Sequence, residues 1–167
     1  KDLREQMYNE FEVLVVNDST MSVCEARNQG LEESVASIVA FTDDDCRPPE
    51  DWVNNIVKSF QKNDNLIILE GPVHGGMSYE GKQKYPTCNI AVDRRTAITA
   101  GGFDKRFEYW REDTEFGWRM EEHGYAEFCG EVQMEHPDRP RSNVSREKER
   151  LLNRMYPEKY KQVIIPN

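Results

Sequence analysis

The chain has 167 residues, 31 acidic side chains against 22 basic ones, and a formal net charge of −9. This length predicts one domain with a sizeable core, and the acidic balance disfavours a nucleic-acid-binding protein, because phosphate binding needs a basic surface. The apolar runs are strand-sized and no signal-peptide pattern opens the chain, so we expect no transmembrane segment and a cytoplasmic location, with peripheral contact at the inner membrane face as the alternative.

Strand and helix patterns alternate along the chain. The polar segment 1–10 is typical of the end of a surface helix. Apolar, β-branched runs then predict strands at 11–16, 35–42, 66–69, 89–92 and 126–134. Apolar residues at helical spacing predict helices at 24–31, 48–60, 94–100, 112–123 and 145–156. We interpret residues 1–137 as one domain and 138–167 as a basic helical extension of it.

Interleaved strands and helices predict an α/β fold with a largely parallel sheet flanked by helices. Ligands of such sheets collect at the carboxyl ends of the strands. Two polar clusters follow predicted strands, namely Asn17-Asp18 after the first and Asp43-Asp44-Asp45 after the second. This coincidence is the first indication of a functional site.

The negative charges of the three consecutive aspartates repel one another unless a positive group neutralises them. A hard divalent ion, Mn²⁺ or Mg²⁺, is the natural partner of carboxylate oxygens. In an extended segment Asp43 and Asp45 point to one side and Asp44 to the other, so one pair can face a ligand such as a metal–diphosphate. The alternative is a solvated turn that caps the helix beginning near Pro48.

A second acidic cluster, Glu112-Asp113, lies at the start of a predicted helix. Acidic residues are favourable there in any case, so Asp113 as a helix cap is one interpretation. The other is a carboxylate base that takes a proton from an attacking hydroxyl.

His136 follows the last predicted strand. It is either a surface or packing residue or a third metal ligand. The basic residues after it form either a solvated helix face or a surface for a diphosphate; they are Arg139, Arg141, Arg146, Lys148 and Arg150.

Four cysteines are scattered without a CxxC pair. This disfavours a zinc knuckle and a thioredoxin-like motif, and predicts incidental thiols in a reducing compartment. They are Cys24, Cys46, Cys88 and Cys129.

Six segments, taken in order, resemble motifs of one enzyme family. They are 12–20, 25–30, 40–45, 89–95, 101–104 and 112–119. Together they resemble the inverting family 2 glycosyltransferases of the GT-A fold. The resemblance implies an enzyme that transfers a sugar from a nucleoside-diphosphate sugar, first of all a UDP-sugar, to a carbohydrate or other hydroxyl acceptor, with Mn²⁺ or Mg²⁺ as cofactor.

The resemblance implies roles on the donor side. Asp18 resembles the aspartate that contacts the base, and Arg27 the arginine close to the nucleotide. Asp43 and Asp45 resemble the outer residues of the DXD motif, with Asp44 between them; Asp43 would contact the ribose or sugar and Asp45 the metal.

The resemblance also implies roles around the reaction centre. Asp113 resembles the catalytic base of the ED motif, with Glu112 beside it. His136 resembles a late metal ligand, which joins Asp43 and Asp45. The remaining implied nucleotide-sugar contacts are Asn89, Gly102 and Asp104.

The chain also departs from the family pattern. The opening strand of the family is absent, and the connection between Thr20 and Cys24 is short. The C-terminal segment 163–167 is similar to that missing strand, which makes it a candidate strand. We expect a fragment, or a chain that lacks loops, with an incomplete nucleotide pocket.

Two other functions stay open. A nucleotidyltransferase shares a nucleotide-binding α/β layer and a metal, but needs a glycine-rich phosphate loop that is not visible in the sequence. A non-catalytic glycosyltransferase-like module would bind sugar or a partner protein, although it would have no chemical need for Asp43, Asp45 and Asp113. The oligomeric state, donor sugar and acceptor have no readable signal.

Overall fold

The computed structural model describes residues 2–76, 78–138 and 144–165. Its strands are β1 (Ile38–Phe41), β2 (Leu66–Glu70), β3 (Val73–Gly75), β4 (Ile90–Asp93), β5 (Tyr125–Phe128) and β6 (Met134–His136). Its helices are α1 (Val23–Glu33), α2 (Trp52–Lys62), α3 (Arg94–Thr99), α4 (Glu112–Glu121), α5 (Arg146–Met155) and α6 (Pro157–Val163). The α/β class is therefore confirmed.

The main sheet has the strand order β1-β4-β2-β5. β4 runs antiparallel to both β1 and β2, whereas β2 and β5 are parallel. The sheet is mixed, so the expectation of a largely parallel sheet was wrong in that respect. The physical reason for this error is that an apolar run buried on both faces has the same pattern whichever way the strand runs. The sequence pattern therefore does not show whether neighbouring strands are parallel or antiparallel.

The last predicted strand, 126–134, is divided into two. The chain leaves the main sheet after Phe128, where the Cys129 N–H still donates to Glu70 O, and turns so that Val132 N donates to Cys129 O. It then forms β6, which pairs in parallel with β3 in a second, two-stranded sheet. This turn carries His136 away from the main sheet.

Two predicted strands do not form among the described residues. Residues 11–16 form no strand, and Val15 is 81% exposed. No strand among the described residues pairs with this segment, and an apolar run becomes a strand only when its backbone groups find partners. At the other end Val163 closes helix α6, so the start of 163–167 is helical, and residues 166 and 167 lie outside the described part. The segment 1–10 contains a 3-10 turn at Asp2–Glu5.

The core lies on both faces of the main sheet. On one face β2 and β4 contribute Ile68 and Val92, which cluster with side chains of α1, α4 and α5. On the other face Leu69 and Ala91 pack with Trp52 and Ile56 of α2, as the apolar stripe of that helix predicts. Alternate side chains of one strand thus serve opposite layers.

A backbone clamp fixes the aspartate loop beside β6. Arg47 N donates to Glu135 O at 2.9 Å, and Glu135 N donates to Arg47 O at 3.2 Å. The clamp joins the segment after β1 to the strand that ends at His136, and so builds one edge of the site.

Candidate functional site

Asp43, Asp45 and His136 come together at the end of β1. His136 Nε2 lies 3.6 Å from Asp43 Oδ2. Ligand atoms of Asp43, Asp45, Cys46 and His136 all lie within 4.8 Å of one another. Asp44 is exposed and lies outside this group. The backbone here is not extended as expected: Asp44 and Asp45 lie in a turn that the bond from Cys46 N to Asp43 O closes at 3.2 Å.

The tautomer of His136 suits a metal ligand. Its Nδ1 lies 2.7 Å from the carbonyl oxygen of Pro137. Because a carbonyl only accepts, Nδ1 is the donor, and in the neutral ring Nε2 keeps its lone pair facing Asp43. Metal-ligating histidines are held by this kind of contact. With two carboxylates beside it, the donor set fits Mn²⁺ or Mg²⁺.

Two cysteines adjoin this group. Cys46, Cys88 and His136 bring ligand atoms within 4.8 Å of one another, although the cysteine spacing predicts incidental thiols. The Cys88 thiol donates to Cys46, which lowers the pKa of Cys46 to about 7 and raises that of Cys88. Without a short cysteine spacing, the sequence offered no signal for this proximity.

A cleft of about 910 Å³ opens beside the aspartates. One wall is the loop that includes Asp43, Asp44 and Asp45, and another is the apolar segment Val13 to Val16. Arg27 of α1 also lines it. The cleft therefore joins the metal-binding candidates to a cationic side chain and an apolar surface.

Asp18 is engaged in its own turn. Its Oδ1 accepts from Thr20 N at 2.8 Å and from Thr20 Oγ1 at 2.6 Å, and these bonds hold the pKa of Asp18 below its usual value. Asp18 is exposed and does not line the cleft. Its contact with a nucleotide base stays a prediction.

The first turn of α4 carries Glu112 and Asp113. Arg111, in the left-handed region with φ 69°, occupies the N-cap position, so Asp113 is not the cap. Asp113 Oδ1 accepts from Thr114 N at 2.6 Å. Burial, followed by the negative charge of Glu112, raises the pKa of Asp113 to about 7. This is the range in which a carboxylate serves as a base at neutral pH.

Arg27 connects the cleft to the second acidic cluster, because it lines the cleft and donates to Glu112 Oε1 at 3.0 Å. Both Asp43 and Asp113 raise the pKa of the Cys88 thiol through their charges. Cys88 therefore lies within electrostatic range of each carboxylate.

Asn89 does not reach the cleft. It is fully buried, and its Oδ1 accepts from Trp52 Nε1 at 2.8 Å. Its Nδ2 donates to Pro72 O at 2.9 Å and to Val132 O at 2.7 Å. This position differs from the expected contact with a nucleotide sugar: the amide joins α2 to the segments that precede β3 and β6.

Gly102 and Asp104 also have structural contacts. Gly102 has a φ of 65°, and a Cβ there would lie 2.3 Å from Asn28 Oδ1. That closeness lets Asn28 bond both backbone groups of Phe103, at 2.7 and 3.0 Å. Asp104 accepts from Arg106 side-chain nitrogens at 2.8 and 2.5 Å. Their contact with a sugar stays a prediction.

The C-terminal helices hold the segment before α4. Glu149 of α5 accepts from Trp110 Nε1 and Arg111 Nε, each at 2.7 Å, and Leu152 is buried in the core. Of the basic tract, Arg139 and Arg141 lie outside the described residues. Lys148 donates to the Glu108 carbonyl, so that member supports the fold.

Comparison with known proteins shows the family to which the chain belongs. A family model described as glycosyl transferase family 2 matches residues 20–130. A glucosyl-dolichyl phosphate glucuronosyltransferase of Haloferax volcanii is 30% identical over 61 residues, which are 36% of this chain and 20% of that protein. The chain thus spans about a fifth of the length of this curated relative.

Solved structures resemble the fold. S. aureus TarS in complex with UDP-GlcNAc has a TM-score of 0.66 at 12% identity, over 85% of this chain and 48% of its own. The mannosyltransferase PcManGT of Pyrobaculum calidifontis, in complex with GDP-Man and Mn²⁺, has a TM-score of 0.58 at 14% identity, over 86% and 44%. The fold is that of GT-A glycosyltransferases. No helix in the described ranges is long and apolar enough to cross a membrane.

Proposed function

Because the chain belongs to glycosyl transferase family 2, we propose that it transfers a sugar from a nucleoside-diphosphate sugar to an acceptor hydroxyl, with inversion at the anomeric carbon. The observation that carries this proposal is the convergence of Asp43, Asp45 and His136 at a cleft lined by Arg27. Arg27 also donates to Glu112 Oε1 at 3.0 Å, next to the candidate base Asp113. This contact supports placing the base near the donor cleft.

The donor is a nucleoside-diphosphate sugar, with a UDP-sugar as the first candidate. A diphosphate approaching three aspartates meets repulsion unless a cation lies between them. Asp43, Asp45 and His136 would hold Mn²⁺ or Mg²⁺, as their donor atoms permit. When bound, such an ion neutralises charge on the departing nucleoside diphosphate. The Mn²⁺ in the PcManGT complex supports this cofactor class.

Asp113 acts on the acceptor. Its carboxylate accepts the proton of the acceptor hydroxyl, and the hydroxyl oxygen forms a bond to the anomeric carbon from the face opposite the diphosphate. The bond between that carbon and the diphosphate oxygen breaks, and the oxygen keeps the electron pair. The raised pKa of Asp113, about 7, makes it a stronger base than an ordinary carboxylate. No covalent enzyme intermediate is needed.

Donor binding tests the first half of the proposal. UDP-, GDP- and dTDP-sugars are titrated with and without Mn²⁺, and release of free sugar is followed. We expect Mn²⁺-dependent binding of one donor. We expect Asp45→Ala to lose this Mn²⁺-dependent binding. Asp64 is an exposed aspartate in the turn before β2, and we expect Asp64→Ala to bind the donor like the wild-type protein. Binding of no donor, or equal binding without metal, contradicts the proposal.

Asp113→Asn tests the base. The amide keeps the shape of the carboxylate but accepts no proton, so we expect donor binding to persist and transfer to fall by about 10²–10⁴-fold. Glu122→Gln, exposed at the opposite end of α4, is the matched control and keeps transfer. Transfer that survives Asp113→Asn shows that another group is the base.

A further inference from the structure

Two thiols and one imidazole form a second group of possible ligands, which overlaps the candidate Mn²⁺ site at Cys46 and His136. Cys46 Sγ, Cys88 Sγ and a ring nitrogen of His136 lie within 4.8 Å of one another. Cys88 and His136 are buried, and Cys46 is partly exposed and lines the cleft. An ion can therefore reach the group from the cleft, while most of the group is shielded from water.

Each donor is held by a separate part of the fold. Cys46 N donates to Asp43 O at 3.2 Å in the aspartate loop. Cys88 is in the 3-10 turn Thr87–Asn89, which the buried Asn89 amide anchors. His136 ends β6, and its Nδ1 donates to the Pro137 carbonyl. The three ligand atoms are thus brought together before any ion binds.

The chemistry of this group differs from that of the carboxylates. Thiolate sulfur and imidazole nitrogen favour Zn²⁺, whereas carboxylates favour Mg²⁺ and Mn²⁺. Tetrahedral zinc, with bonds of about 2.3 Å to sulfur and about 2.0 Å to nitrogen, needs donor atoms roughly 3.5–3.8 Å apart. Because the three donor atoms already lie within 4.8 Å of one another, small side-chain adjustments bring them to these distances.

We propose that Cys46, Cys88 and His136 form a second metal site, which binds Zn²⁺. Asp43, 3.6 Å from His136 Nε2, or a water molecule completes a fourth position. This site is separate in its ligand chemistry from the carboxylate site, and its two thiolate ligands make it selective for a softer ion.

The two groups of donor atoms share His136 and Cys46. One Nε2 lone pair binds one ion, so Zn²⁺ on the thiolates removes His136 from Asp43 and Asp45. Zn²⁺ therefore weakens the binding of Mn²⁺ by Asp43 and Asp45 and, through it, inhibits transfer. This competition rests on the proposed function, whereas binding of Zn²⁺ to the thiolates does not.

Co²⁺ is the direct probe, because thiolate ligation gives an intense charge-transfer absorption that carboxylates do not give. We titrate Co²⁺ into the reduced protein and then displace it with Zn²⁺. We expect the absorption in the wild-type protein, and at least about tenfold weaker binding in Cys88→Ser. Cys129→Ser, which changes a thiol outside the group, and Asp45→Asn both keep the absorption.

Cys46→Ser repeats the test at a less buried thiol, in case Cys88→Ser does not fold. The competition is measured by following bound Mn²⁺ with electron paramagnetic resonance while Zn²⁺ is added. We expect Zn²⁺ to displace Mn²⁺ from the wild-type protein, and the same displacement from Cys88→Ser to need at least about tenfold more Zn²⁺. No thiolate absorption in the wild type overturns the inference, and Mn²⁺-dependent donor binding in the same sample shows that the proposed function survives. An absorption that both serine variants retain also overturns it.

Discussion

Arg27 Nη1 donates to Glu112 Oε1 at 3.0 Å and joins helix α1 to the first turn of α4. The two side chains are 16% and 14% exposed, so water screens their attraction only in part. Glu112 raises the pKa of the adjacent Asp113, and Arg27 lowers it. Burial is the largest cause of the raised pKa of Asp113, and the ion pair adjusts that pKa further.

Removal of Arg27 moves the acid limb of the pH profile. Without the guanidinium, Glu112 acts on Asp113 uncompensated, and the pKa of Asp113 rises further, on the order of one unit. We expect the pH midpoint of transfer to move upward in Arg27→Ala and to stay nearer the wild-type value in Arg27→Lys. The midpoint is the readout, since the rate also responds to donor binding. An unchanged midpoint in Arg27→Ala would show that Arg27 does not affect the pKa of Asp113.

Asp113 also makes stability depend on pH. Its pKa is near 7 in the folded chain against an ordinary 3.8, so between these values the folded state binds more protons than the unfolded state. Stability therefore falls as pH rises through this window. We expect Asp113→Asn to be the more stable protein at about pH 8, by at most about 4 kcal/mol, with the gain shrinking toward about pH 4.

Urea unfolding of both proteins across the window measures this difference. Glu122→Gln, at the exposed end of α4, is the control and keeps the wild-type slope. A gain that is constant with pH would mean that Asp113 titrates normally.

The buried pair Arg119–Glu115 anchors α4. Arg119 contacts both carboxylate oxygens of Glu115, at 2.9 and 2.8 Å, and also donates to the carbonyls of Ala100 and Gly102. Glu115 is fully buried, so Arg119→Ala leaves its charge uncompensated. We expect a loss of about 3–5 kcal/mol in the free energy of unfolding.

The comparison is the pair Arg106–Asp104, in which the Arg106 side chain is 60% exposed. Because solvent screens it, Arg106→Ala costs less than about 1 kcal/mol. Chemical denaturation of the two variants side by side gives both values, and equal losses would rule out burial as the cause.

Gly117 permits the contact between α4 and Tyr85. A Cβ at Gly117 would lie 2.0 Å from Tyr85 Cδ2. The ring cannot move freely, because Tyr85 Oη donates to Glu121 Oε1 at 2.5 Å and Tyr85 N donates to Glu70 Oε2 at 3.2 Å. We expect Gly117→Ala to lower stability by about 1–3 kcal/mol, as overpacking does.

Gly30 of α1 is the matched control, because no atom lies within 4 Å of a Cβ there. Gly30→Ala adds helix propensity without a clash, and we expect a gain of about 0.5–1 kcal/mol. Thermal unfolding distinguishes the two signs. A stabilised Gly117→Ala would show that Tyr85 has room to shift.

Much of the fold could be predicted from local patterns. The helix expected at 112–123 is α4, and the strand expected at 35–42 contains β1. Burial of Trp52 and Ile56 followed from their helical spacing. Such predictions succeed because the periodicity of side chains records which face of an element is buried.

Segment 11–16 shows the limit of such patterns. Its apolar residues have strand composition, yet Val13, Leu14 and Val15 are exposed and no strand forms. A strand needs hydrogen-bonding partners on a neighbouring chain segment, and composition does not say whether one is present. The reversed direction of β4 has the same origin, because pairing is a property of two segments.

The sequence by itself determined the residue types and their local settings: an aspartate run after a buried strand, acids at a helix start, and a histidine after the last strand. Only the tertiary structure decided which of these meet. It turned the chain out of the main sheet so that His136 faces Asp43, buried Asn89 as an anchor, and placed Cys88 against Cys46. The physical reason is that these contacts join residues distant in sequence, and packing of the whole chain brings them together.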